Sequence, residues 1–206
     1  MYAVVENNNI TQFINYPKSI VIADVRYPAK IFTMWSQAEK QAIGLYEIIT
    51  DSTNYKDPAY YNNTNEQYTF ANGQVTKSWG TATAKRLNDE NAVDEDGNNI
   101  LENGVQVINY GLKTEKKKIV KQQASNLLAP TDWYVVKATE VADYDIPANI
   151  LSFRADVRTK SNEMETMINN CTTVDELKAL YEYTNTGTEQ NPVMTRPLPE
   201  FPKEVI

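Results

Sequence analysis

Leu127-Leu128-Ala129-Pro130-Thr131-Asp132-Trp133-Tyr134-Val135-Val136-Lys137, followed after a short spacer by Ile146-Pro147-Ala148-Asn149-Ile150-Leu151-Ser152-Phe153-Arg154-Ala155-Asp156-Val157-Arg158, is the stretch on which the reading of this chain turns. A helix ends on its left, where Pro130 cannot continue it and constrains Ala129. A second helix begins on its right, where Pro147 suits a first turn. Between them, Trp133 to Val136 reads as an extended, half-buried run of β-formers. Everything before this bend is rich in strand signals, and everything after it is helical and then extended.

Working back from the bend, Thr114 to Leu128 carries Ile119, Val120, Ala124, Leu127 and Leu128 at three- and four-residue spacing, one apolar stripe of a helix that Thr114 can cap. Lys116, Lys117, Lys118 and Lys121 lie on the same helix, as a solvated face or a surface for an acidic partner. Residues 85–111 are mixed. Asn103-Gly104 signals a hairpin turn. Asp94-Glu95-Asp96-Gly97-Asn98-Asn99 resembles an EF-hand loop only superficially: the ligand positions do not alternate, Gly comes too early, and no helix pair flanks it.

The first 84 residues hold short β runs. Tyr2–Val5 and Ile10–Phe13 flank an Asn-rich turn, and Ser19–Val25 reads as a strand bracketed by Pro17 and Pro28. Ser36-Gln37-Ala38-Glu39 is a capping box that opens a short helix, with Trp35 just before the cap and Gly44 just past the end. Leu45–Ile49 follows as a strand. Asn72-Gly73, between Gln67–Ala71 and Gln74–Trp79, is the strongest hairpin signal in the chain.

Working forward, Asp145 is the candidate cap of the helix that places Ile150, Leu151, Phe153, Val157, Met164, Met167 and Ile168 inward. Arg154 and Arg158 lie one turn apart on it, within reach of Asp156 or Glu163. Thr173-Val174-Asp175-Glu176 is a second capping box, and the short loop around Cys171 suggests an antiparallel hairpin of the last two helices. Arg196-Pro197-Leu198-Pro199-Glu200-Phe201-Pro202 is extended chain with apolar teeth at Leu198 and Phe201, suited to docking on a neighbour.

The expected fold class is α+β: an N-terminal antiparallel β-rich domain with one short helix (1–84), an acidic linker with a hairpin (85–111), a C-terminal helical hairpin region (112–184) and an extended Pro-rich docking tail (185–206).

Composition narrows the function. The 206 residues include no histidine, which removes Ser-His-Asp and Cys-His catalysis and the commonest transition-metal ligand. Carboxylate-only chemistry, such as a hydrolase of cell-surface glycans, is left as the enzymatic rival. A single cysteine, Cys171, precludes an intrachain disulfide. The net charge of −7 argues against nucleic acid and against anionic lipid. No apolar run approaches the roughly 18 residues of a membrane span, and no secretory signal is visible at Met1–Glu6. The expectation is a non-enzyme with no cofactor and no metal. Thirteen tyrosines suit protein interfaces, and a homo-oligomer is possible.

Two blocks carry a family resemblance. Leu127-Leu128-Ala129-x-Thr131-Asp132-Trp133, followed by Phe153-Arg154-x-x-x-Arg158, resembles the C-terminal region of tailed-bacteriophage tail-fibre-assembly and tail assembly chaperone proteins. Tyr27-Pro28-Ala29-x-Ile31-Phe32-x-x-Trp35-Ser36-x-Ala38-Glu39-x-x-x-Ile43-Gly44-Leu45-Tyr46 is similar to a module of tail-associated proteins, particularly of marine phages. The chaperone type commonly closes soon after its second helix, whereas here a third helix and the tail Arg196–Ile206 follow. The resemblance therefore implies first an accessory structural protein of the virion tail, assembled in the host cytoplasm and bridging tail or tail-fibre proteins. Second, it implies an assembly chaperone absent from the mature virion. The candidate interface residues are Trp133, Tyr134, Arg154, Arg158, Leu198 and Phe201.

Overall fold

A computed structural model describes residues 1–203. The chain is α+β and divides into two compact units, Met1–Ala84 and Lys85–Ile206.

The first unit is organised on strand β1 (Tyr2–Glu6), which is followed by β2 (Asn9–Ile14), the β3–β4 ribbon (Ile20–Ile22, Val25–Tyr27), helices α1 (Ile31–Met34) and α2 (Gln37–Ala42), β5 (Leu45–Thr50), β6 (Tyr61–Asn62), β7 (Gln67–Ala71), β8 (Gln74–Ser78) and β9 (Thr83–Ala84). Five strands form one sheet in the order β2-β1-β5-β8-β7. Because side chains alternate along a strand, β1 feeds two cores. Ala3 and Val5 pack with Val75, Tyr46 and Phe70 on one face. Val4 packs with Ile14, Ile20, Ile22, Ile31, Phe32 and Leu45 on the other. The sheet curls enough that the rings of Phe13 (β2) and Tyr68 (β7) lie 4.6 Å apart.

The sheet has one parallel pair, β5 with β8, among otherwise antiparallel neighbours. A one-turn helix, α1, accompanies the expected one, α2. The capping box of α2 forms: the Ser36 hydroxyl accepts from Glu39 N–H, and the Glu39 carboxylate accepts from Ser36 N–H at 2.7 Å. Trp35 sits half-buried before it, edge-on to Tyr27.

Ser19–Val25 is not one strand. The chain reverses at Ala23-Asp24, with φ of 48° and 65°, and Ile20–Ile22 pairs back onto Val25–Tyr27. Both φ values are positive, as a two-residue hairpin turn requires, but alanine is a poor residue for that conformation. Replacing Ala23-Asp24 with Asn-Gly should raise stability by about 1 kcal/mol, measured as an upward shift of the urea midpoint with unchanged slope. Asn72-Gly73, with φ of 52° and 72°, shows the favoured form of the same turn.

In the second unit, residues 85–111 are part of the compact body. Strand β10 (Glu90–Asn91) pairs with β13 (Ile108–Asn109), and β11 (Leu101–Glu102) with β12 (Val105–Gln106) across the Asn103-Gly104 turn. The segment then secures the start of α3 (Leu112–Leu128). Leu112 and Lys113 N–H donate to the carbonyls of Arg86 and Leu87, and the Asp89 carboxylate accepts from Gly111 N–H at 2.8 Å and from the Thr114 hydroxyl at 2.9 Å. Thr114 is thus one turn inside the helix, and Gly111 is its N-cap. The Gly111 N–H holds the Asp89 carboxyl below the usual aspartate range, helped by Thr114 and the charge of Lys117. A Cβ on Gly111 would fall 2.5 Å from the Asn88 backbone, so this crossing needs glycine.

Helix α3 buries Leu112, Val120 and Ala124, while Ile119, expected inward, is exposed. It packs along α5 (Ala148–Asn170), which buries Ile150, Phe153, Arg154, Val157, Ser161, Met164 and Ile168 at helical spacing. Leu151 faces out. Pro147, not Asp145, holds the cap position of α5, without a side-chain bond. The long partner of α5 is therefore α3; the expected partner, α6 (Val174–Ala179), has only six residues. The α6 capping box forms between Thr173 and Glu176. Cys171, between α5 and α6, is buried, and desolvation together with the nearby Glu176 charge raises its thiol pKa.

The tail corrects the sequence expectation. After a small ribbon of β14 (Thr184–Asn185) and β15 (Met194–Thr195), the chain returns to its own body. Leu198 is buried, and its N–H donates to the Leu180 carbonyl at 3.0 Å. Among the described residues, no helix is long and apolar enough to cross a membrane.

Candidate interaction surface

The bend read from sequence is an elbow between two helices. Helix α3 runs into a 3-10 turn, Ala129–Thr131, and from there directly into α4 (Asp132–Glu140). Trp133 to Val136 is helical, not extended: the β-propensity of Trp, Tyr and Val gave way to an elbow fixed from outside the segment.

Arg154 fixes it. Its side chain is 8% exposed. One guanidinium nitrogen donates to the Leu128 carbonyl at 3.0 Å and to the buried Thr131 hydroxyl, and the other pairs with Asp132 at 2.8 Å. The Thr131 hydroxyl itself donates to the Leu128 carbonyl at 2.7 Å. One planar cation thus ties the last residue of α3, the turn, and the first residue of α4. Five fixed donors make arginine suited to that task. Asp132 also sits in the first turn of α4, where a carboxylate is favoured by the helix dipole. Beneath the elbow, Phe153 and Val157 pack with Ala124, Leu127, Leu128 and Phe201.

Helix α4 itself has no buried residue. Trp133 and Val136 are each about half exposed, at 51% and 52%, and Val135 and Val141 are exposed beside them. Tyr134 is half-buried and stacks on Trp133 with ring centres 3.8 Å apart. Lys137 lies over Trp133 at 5.7 Å and over Tyr144 at 4.2 Å. A helix of nine residues is well below the roughly 12–15 that are even marginal alone, so its order rests on the elbow. The result is a rigidly mounted helix showing aromatic and aliphatic side chains to solvent, the composition of an interface centre.

The sequence candidates divide accordingly. Trp133 and Tyr134 belong to this surface. Arg154 is buried within its own chain, where it positions the surface through Leu128, Thr131 and Asp132. Arg158 is exposed and donates to the Arg154 carbonyl at 3.3 Å. Neither arginine makes the local pair with Asp156 or Glu163; Glu163 pairs with Lys160. Leu198 is buried within its own chain, and Phe201 joins the cluster under the elbow. Val136, Lys137, Val141 and Tyr144 were not singled out from sequence. A helical reading of 132–140 would have placed Trp133, Val136 and Lys137 on adjoining faces.

Elsewhere, the acidic loop is closed on itself: Asp94 accepts from the N–H groups of Asp96 and Asn98. Among the described residues, no three His, Cys, Asp or Glu side chains converge to hold a metal. Comparisons with protein-family models, with curated proteins and with solved structures found no match to this chain.

Proposed function

We propose that this chain is a non-enzymatic component of a tailed-phage tail, an accessory structural protein that bridges or attaches tail or tail-fibre proteins, with α4 as its contact surface. The observation that carries the reading is the nine-residue helix without a buried side chain, held by a buried arginine. An ordered helix with no fully buried residue has a surface left for a partner. The two sequence blocks with a phage-tail resemblance supply the setting. Their shared residues Leu128, Thr131, Asp132 and Arg154 build the elbow, so the resemblance on these residues concerns the mounting of α4.

The same surface serves the second reading, an assembly chaperone that leaves before the virion matures. Quantitative mass spectrometry of purified virions separates the two: a fixed ratio to other tail proteins marks a structural component, and absence from virions with abundance in infected cells marks a chaperone. The surface is tested by pull-down with tail and tail-fibre proteins of the same phage. Trp133→Ala and Val136→Asp should weaken binding tenfold or more, as loss of about 2 kcal/mol at an interface centre implies. Unchanged binding by both folded variants would remove α4 from the function.

A further inference from the structure

The C-terminal arm, Arg196–Lys203, is seated on the helical unit like a ligand. Leu198 is 2% exposed, and its N–H donates to the Leu180 carbonyl. Leu198, Glu200 and Phe201 of the arm, with Val120 and Leu127 of α3, Met164 of α5 and Tyr181, together border one groove. Phe201 packs against the Phe153 and Val157 cluster. Glu200 accepts from the Tyr183 hydroxyl at 2.7 Å and pairs with Arg196 at 2.9 Å. These are one buried anchor, one half-buried aromatic anchor, a main-chain hydrogen bond and an ionic clasp, within six residues.

The connection is of a different kind. Every residue from Thr184 to Thr195 is exposed. The ribbon is held by its own short pairing, and by Asn185, whose side chain accepts from Gly187 and Val193 N–H. A linker of this kind can open at little cost to either end, and fully extended it reaches roughly 40 Å.

We infer that the arm is exchangeable: the groove formed by α3, α5 and Leu180-Tyr181 that seats the arm of its own chain also seats the arm of a second copy. The contacts of Leu198, Glu200 and Phe201 are the same in both arrangements, so exchange loses no interaction of the arm. Only chain entropy separates them. The tethered arm has an effective concentration on the order of millimolar, so the exchanged dimer grows in as protein concentration approaches that range, or where copies are gathered on an assembly. Proline at 197, 199 and 202 keeps the arm extended and reduces the entropy lost when it seats.

The test uses the full chain. Light scattering of the wild-type protein from about 10 μM to about 1 mM should show a growing dimer fraction. Leu198→Asp, which disables the arm and leaves the groove open, should remain monomeric throughout. A fluorescent peptide of Met194–Lys203 should bind the Leu198→Asp chain at least tenfold tighter than the wild type, whose groove is filled. Circular dichroism establishes that the variant is folded; if it is not, Phe201→Ser replaces it in both measurements. A wild-type chain that stays monomeric, a dimer that survives the substitution, or a folded variant that ignores the peptide each overturns the inference.

Discussion

Gly44→Ala should lower the stability of the N-terminal unit by roughly 3 kcal/mol, seen as a lower urea midpoint of the transition that reports the sheet. Gly44 has φ of +78°, which costs an L-residue about 1–2 kcal/mol. A Cβ there would also stand 2.6 Å from the Val5 carbonyl oxygen. That oxygen cannot simply move, because Val5 is paired within β1 and its N–H donates to the Gly44 carbonyl at 2.8 Å. Relief of the clash shifts β1 or breaks this bond, at about 1 kcal/mol more. Gly73→Ala separates the two effects. Gly73 has φ of +72° and open space where a Cβ would stand, so only the backbone cost of about 1–2 kcal/mol should remain. Equal losses at both positions would refute the close-approach explanation.

Arg154→Ala should cost roughly 2–4 kcal/mol in the helical unit. The guanidinium satisfies the Leu128 carbonyl, the buried Thr131 hydroxyl and the Asp132 carboxylate together. Its loss leaves Thr131, which is 0% exposed, with only its own bond to Leu128. Asp132→Asn should cost much less, because that side chain is 60% exposed and its ion pair is screened by water. Arg154→Lys should recover little, since one ammonium cannot reach three acceptors arranged around a plane. Amide exchange distinguishes this from general destabilisation: with the elbow untied, α4 protons should exchange far sooner than those of α3 and α5. If α4 keeps its protection in Arg154→Ala, the elbow has another source.

Much of the fold was legible where chemistry is local. The turns at Asn72-Gly73 and Asn103-Gly104 need only residues that accept positive φ, and both capping boxes need only four adjacent positions. The apolar spacing of α5 identified the apolar residues of its buried face, but Arg154 and Ser161 entered that face unannounced and Leu151 left it. What escaped depends on distant partners. Ala23-Asp24 turns because β3 and β4 pair, against the preference of alanine. The parallel β5–β8 pair joins segments some two dozen residues apart with no local mark. Trp133 to Val136 has the composition of a strand and becomes a helix because an arginine 22 positions after Asp132 holds its first turn. The arm looked free because the surface that seats it is assembled from two helices distant in sequence, Tyr181 and the Leu180 carbonyl.

The burial of Cys171 gives the protein a built-in clock. The residue is 6% exposed and lies at the α5–α6 junction, and burial makes its thiol less acidic than a free one. It is the only thiol in the chain. A thiol-directed reagent therefore finds no target on the folded surface, and labelling proceeds only as often as the junction opens. Mass increase over time then reads the opening frequency of one defined place in the helical unit, without any engineered substitution.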